Sequence, residues 1–285
     1  MLNEPPSEKK RPQHPLERRA PPPEPDTASE GPQRGTLHIQ VVSPHITYAL
    51  IAINVVIYGM LNGLMTNIER LEWYSWGANN QLQVFENGEY YRLFTSMFLH
   101  ADPPHLLFNM LALYFIGQTV ERFFGHARFF IIYLLGGLTG SLLSVALNGP
   151  SVNAVGASGA VFAIIGAEII FLYNHRKLFG QTAAHQLRQL ILIALLNLGY
   201  GFASQFSDAA IQLDNWGHIG GLVGGLGLAY LIGPIFLLKR REGTEVDFQA
   251  VDMQPLADRY QSVLAFVSGQ LIVLIIGTFI ARGSL

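Results

Sequence analysis

The sequence predicts an all-α polytopic membrane protein, and three observations lead there. Half of its 285 residues are hydrophobic and only 13% are charged, about half the ~25% charged fraction of soluble proteins. Seven apolar segments recur, near 46–65, 104–121, 128–147, 157–173, 188–205, 217–237 and 262–281. Each approaches the ~20 residues needed to cross a hydrocarbon core of ~30 Å. The polar stretches between them carry nearly all the charge. Backbone groups in lipid must pair within the protein, and a helix does this inside one segment.

Residues 1–36 hold nine of the fifteen prolines and almost no large apolar side chain. Such a segment buries too little surface to offset its ordering entropy, so a disordered Pro-rich tail is expected. Its PPPEP run reads as a solvated stretch or a polyproline ligand. It has no apolar h-region of the kind a cleaved signal peptide carries. A helical core over 37–240 follows, then a linker at 241–261 and a seventh helix with the C-terminus at 262–285. If the tail is cytoplasmic, every Lys and Arg except Arg70, Arg92 and Arg282 falls on the cytoplasmic side. That asymmetry fits the positive-inside rule, so the expected location is a cell membrane with the N-terminus inside. The longest outer loop, 66–103, contains LEWYSWG and GEYYRLF. Trp73, Trp76, Tyr90 and Tyr91 suit a membrane–water interface, and the loop is expected to be structured and partly embedded.

The composition also excludes chemistry. With no cysteine there is no disulfide, thiol nucleophile or thiolate metal site. A net charge of −2 gives no reason to expect nucleic acid. His126, His175 and His185 make no metal-ligand spacing, so neither metal nor cofactor is expected. A transporter would show internal repeats and midplane charges; there are no repeats, and only Glu168 comes near. It lies ten residues beyond Ser158, about 15 Å along a helix, and reads as an interfacial or paired carboxylate.

Polar groups inside a membrane are expensive and usually face the bundle interior or water. Three such clusters stand out. His105 and Asn109 are spaced i, i+4 and share a helix face. Gly156-Ala157-Ser158-Gly159 opens an apolar helix. His218 sits near the start of NWGHIGGLVGG. If the spans alternate, all three lie at the same outer depth. Gly217, Gly221 and Gly225 repeat every four residues, which lets two membrane helices approach closely and brings His218 toward Ser158. Histidine is the usual base for a serine nucleophile. The Ser158 N–H lies at a helix start, where it has no intrahelical partner and can face an anion. His105 and Asn109 can add donors to the same oxyanion. The structural alternative is that Ser158 and the glycines only pack helices and that His105–Asn109 is a polar staple. Asp214, four residues before His218, reads as a residue of the helix start rather than a triad acid.

Taken together, YRLFTSMFLHADPPHLLFNM (91–110), VERFFG (120–125), VGASGAVF (155–162) and NWGHIGGLVGG (215–225) resemble the rhomboid family of intramembrane serine proteases. The resemblance covers about Tyr90 to Leu228. It implies a six-helix rhomboid-like bundle, to which 262–281 adds one extra C-terminal transmembrane helix. It also implies a Ser–His dyad hydrolysing peptide bonds in or near the transmembrane segments of membrane-protein substrates. By position, Ser158 matches the nucleophile and His218 the general base. His105, Asn109 and the Ser158 backbone match the oxyanion hole. Phe162 matches the aromatic that packs on the imidazole, and Gly221 and Gly225 the close-packing helix, with Gly156 and Gly159 supporting the serine. Glu121 and Arg122 match a structural polar cluster, and Arg92 the arginine of a Trp-Arg pair whose first member here is Tyr91. A catalytically silent relative would lack Ser or His; both are present.

Overall fold

The computed structural model describes residues 36–204, 213–244 and 246–283; the Pro-rich tail expected over 1–36 lies almost wholly outside them. Helices dominate. Helix α1 (His45–Gly63) is followed by the short α2 (Asn67–Gly77) and α3 (Arg92–Thr95). Helix α4 (Pro103–Ala112) runs through a π turn, Leu113–Gly117, into α5 (Gln118–Phe124). Helices α6 (His126–Leu147), α7 (Ser158–Asn174), α8 (Arg176–Ser204), α9 (Asn215–Ile232) and α10 (Tyr260–Gly283) complete the set. Each of the seven expected apolar segments overlaps one of these helices or the α4–α5 run, although 217–237 runs past the end of α9 at Ile232 into a strand that begins at Phe236. Among the described residues, α1, α6, α8 and the Leu256–Gly283 helix are long and apolar enough to cross a membrane, and α7 is shorter and apolar.

Helix α7 is the hub. It is apolar around nearly its whole circumference, as a helix surrounded by others must be, and the nine consecutive positions from Ala160 to Glu168 are buried, as are Phe171 and Leu172. Helices α6 and α9 press closely against it, with glycines at the points of contact. A Cβ at Gly136 would collide with the Ala163 side chain, at Gly221 with the Gly159 carbonyl, and at Gly225 with the Ala163 carbonyl. The four-residue glycine repeat of α9 is therefore a contact surface, as small-residue repeats are in membrane helices.

Two ends of the bundle differ in kind. At one end, Leu37–His38 (β1), Phe236–Arg240 (β2) and Phe248–Asp252 (β3) form a small sheet in the order β1-β3-β2. Strand β1 runs parallel to β3 and β2 antiparallel to it. The hairpin occupies part of 241–261 and its approach, where alternation over five residues is too short to register as a strand. It is held by Arg128 of α6, which donates to Asp252 at 2.7 Å and to the Gln254 carbonyl. His175, at the α7–α8 turn, accepts the Phe236 N–H at 2.9 Å. Glu121 is fully buried there and accepts from the Ile46 and Thr47 N–H groups, the Thr47 hydroxyl and His126. Arg122 does not join that polar cluster: its side chain is exposed, and only its carbonyl is used, by the Val42 N–H.

At the other end, the 66–103 loop is ordered throughout. Helix α2 starts on a capping box between Thr66 and Glu69. Arg92 is buried and donates to Glu89, Ser75 O and Ala78 O. Tyr91 stacks on Trp76 with ring centroids 4.9 Å apart. With Tyr in place of the expected Trp, the arginine still anchors the loop.

Candidate active site

The GASG stretch is shaped by its backbone. Gly156 has φ +125, which side-chain-bearing residues rarely adopt. Its N–H donates to Ser96 O at 2.9 Å, and the Ala157 N–H approaches His100 Nε2 at 3.5 Å. Helix α7 then begins at Ser158. The first helical N–H groups have no carbonyl one turn back to bond, so the Ser158 amide is left aimed out of the helix start.

His218 is 4% exposed on the second turn of α9. Its imidazole lies flat on the Phe162 ring, with centroids 4.4 Å apart and planes 5° from parallel. Phe162 is one turn beyond Ser158, so the stack places the ring on the face of α7 that Ser158 opens. The His218 Nδ1 is buried with no partner. Among the described residues no hydrogen bond joins Ser158 to the imidazole; catalytic bonds of this kind often close only around substrate.

The α9 start is fixed by Asp214. Its carboxylate accepts from the Gly217 N–H at 2.9 Å and from Asn148 Nδ2 at 2.8 Å. Asp214 is half-buried rather than fully exposed, and its bonds go to the cap and to Asn148, not to the imidazole. A cavity of about 30 Å³ is lined by Ser158, Gly159, Gly217, Asp214, Ser141 and Asn79, among others. One water requires ~10–15 Å³.

His105 and Asn109 sit in the first two turns of α4, which opens on an Asp102 cap followed by Pro103-Pro104. The His105 ring lies against Gly156: a Cβ there would be 2.6 Å from its Nε2. Asn109 donates one amide N–H to the His105 carbonyl at 2.9 Å, which leaves its second N–H. His105 therefore reaches the serine loop, while Asn109 stands one turn deeper on the same helix.

Sequence reasoning passed over His100. It is 1% exposed, supports the Ala157 amide and packs edge-on to His105 at 5.3 Å. Its carbonyl accepts the Tyr74 hydroxyl. Two prolines separate it from the α4 pattern, so no helical spacing linked it to His105. Glu168 departs from the expectation of an interfacial or paired carboxylate: it is 4% exposed and its Oε2 has no partner. No cluster of three or more His, Cys, Asp or Glu fit for a metal occurs among the described residues.

Known proteins share this arrangement of sequence. The family model for the rhomboid domain matches residues 87–235. Rhomboid protease GluP of Bacillus subtilis (strain 168) is 40% identical over 192 residues, 67% of this chain and 35% of that protein. RHOMBOID-like protein 1 of Arabidopsis thaliana is 35% identical over 203 residues, 70% of this chain and 49% of its own length. Putative rhomboid protease YdcA of B. subtilis is 32% identical over 145 residues, 51% of this chain and 68% of that protein. The match thus spans a half or less of the first two relatives.

Proposed function

This chain belongs to the rhomboid family, and from that premise we propose that it is an intramembrane serine endopeptidase. Its substrates are membrane proteins, cut in or near a transmembrane segment that unwinds locally to expose a peptide bond. Ser158 is the nucleophile and His218 the general base. His218 takes the hydroxyl proton as Oγ attacks the scissile carbonyl. The developing oxyanion is met by the Ser158 N–H, by His105 and by the free N–H of Asn109, donors aimed at charge that exists only in the transition state. His218 returns the proton to the leaving amine. Water then attacks the acyl-enzyme, with His218 again accepting the proton, and Ser158 is restored. His100 and Gly156 are positioning residues that hold the serine loop.

The observation that carries this reading is the parallel stack of His218 on Phe162, one turn from Ser158. A histidine needed only for packing has no reason to be held face-on beside an open helix start. The test is cleavage of a labelled transmembrane substrate by the purified full chain. Ser158→Ala and His218→Ala are each expected to lower kcat by at least about 10³-fold. Full activity in both variants overturns the mechanism. The site faces the outer side of a cell membrane, with the N-terminus in the cytoplasm.

A further inference from the structure

Helix α10 does not simply lie against the bundle in lipid. Near its middle, Gln270 donates to the Leu135 carbonyl at 2.7 Å and to the Thr139 hydroxyl at 2.9 Å, fastening it to α6. Its outer half stays against the end of α6 and also grips the 66–103 loop. Gly277 sits flush on the Phe85 ring, where a Cβ would come within 2.7 Å. Leu274 and Ala281 pack on the buried cluster that Val84, Phe85 and Leu93 of the loop form with Leu142 and Val145 of α6. Arg282 Nε donates to the Phe85 carbonyl at 3.2 Å.

The opposite side of that loop holds the chain that leads into the serine. Asn79 pairs with Ala154 through both backbone bonds at 2.9 Å, and its side chain donates to Ser141 O. Asn80 donates to Pro150 O and Val152 O. The contacts to Ala154, Val152 and Pro150 fall four to eight residues before Ser158. A series of contacts therefore runs from the exposed Arg282 to the Phe85 carbonyl, through the Val84 N–H bond to Asn80 O, and from Asn79 to Ala154 just before the GASG turn.

We propose that α10 positions the active site, with Arg282 and Gly277 acting as positioning residues that clamp the outer loop and so hold the segment preceding Ser158. Without the clamp, the loop relaxes around Phe85, the Asn79–Ala154 pairing slackens, and the serine turn loses its fixed geometry. The bundle itself, welded by α6, α7 and α9, does not depend on that clamp.

This rests on the reading of Ser158 as nucleophile, and the test separates the two. A fluorophosphonate phosphonylates an activated serine with loss of fluoride, so its labelling rate reports Ser158 reactivity in the purified full chain. The measurement compares wild type, Arg282→Ala, Gly277→Phe and Arg282→Lys, alongside kcat and KM for a labelled transmembrane substrate and the Tm of each protein. Arg282→Ala and Gly277→Phe are expected to slow labelling on the order of tenfold, with kcat falling in parallel, KM unchanged and the bundle still folded at the assay temperature. Arg282→Lys, which keeps a donor for the Phe85 carbonyl, is expected to recover at least half the rate. Wild-type labelling rates in both disrupting variants, or losses only in proportion to unfolded protein, overturn the clamp and leave the nucleophile intact. No labelling of wild type at Ser158 removes both.

Discussion

At the scale of single residues, Gly156 concentrates the constraints on the site. Its positive φ and the His105 ring beside it both exclude a side chain. Gly156→Ala is expected to lower kcat at least about tenfold while the protein stays folded, because the strain falls on a loop and not on the core; activity assay and melting curve together check this. Asp214 is the contrasting case. Asp214→Ala removes an N-cap, which costs about 1 kcal/mol, but leaves the stacked imidazole. More than a tenth of wild-type activity is expected, and less than that would make Asp214 part of the catalytic group. The residues of the candidate site were legible because serine, histidine and asparagine are costly in apolar helices. His100 was not, because its burial comes from a loop folding over it, which no local pattern records.

At the scale of elements, contact between α7 and α9 holds His218 against the Ser158 helix. Gly225 has no room for a Cβ against the Ala163 carbonyl. Gly225→Leu is expected to cost about 1–3 kcal/mol and to abolish cleavage by prising His218 from Phe162; a lowered Tm with activity still at wild-type level contradicts this. The existence and order of the apolar helices were legible from segment length. The π turn at Leu113–Gly117 and the break at Gly180 (φ 55, ψ −131) were not. A π turn and an α turn share the same apolar composition, and only the neighbouring helix decides which is adopted.

At the scale of the whole molecule, the small sheet ties the segment before α1 to the hairpin after α9, and His175 is one of its two anchors. Its Nδ1–H donates to Phe171 O and its Nε2 accepts from Phe236 N–H, so the ring is bound as the neutral form. Burial holds it below the ordinary histidine range. The stability it contributes is present above about pH 6.5 and is lost as pH falls below that value, when protonation removes the acceptor. Faster amide exchange at Phe236 in mild acid, absent in His175→Asn, is the expected signature. Arrangement across the membrane is testable too, since the chain has no cysteine. Glu72→Cys is expected to react with an impermeant maleimide from outside intact cells, and Glu242→Cys only after permeabilisation.

The sequence by itself determined the membrane-spanning class, the helix order, the close-packing glycines and which serine and histidine are proposed as the reactive pair. Each of these is written in local composition: apolar length, four-residue repeats, and polar groups where lipid makes them costly. Only the tertiary structure decided that His100 supports the serine turn, that Glu168 is buried with an unpartnered oxygen, and that α10 grips the outer loop. Those features join residues distant in the chain, from 85 to 282 or 100 to 157. Their geometry follows from how whole helices stack, which no window of sequence contains.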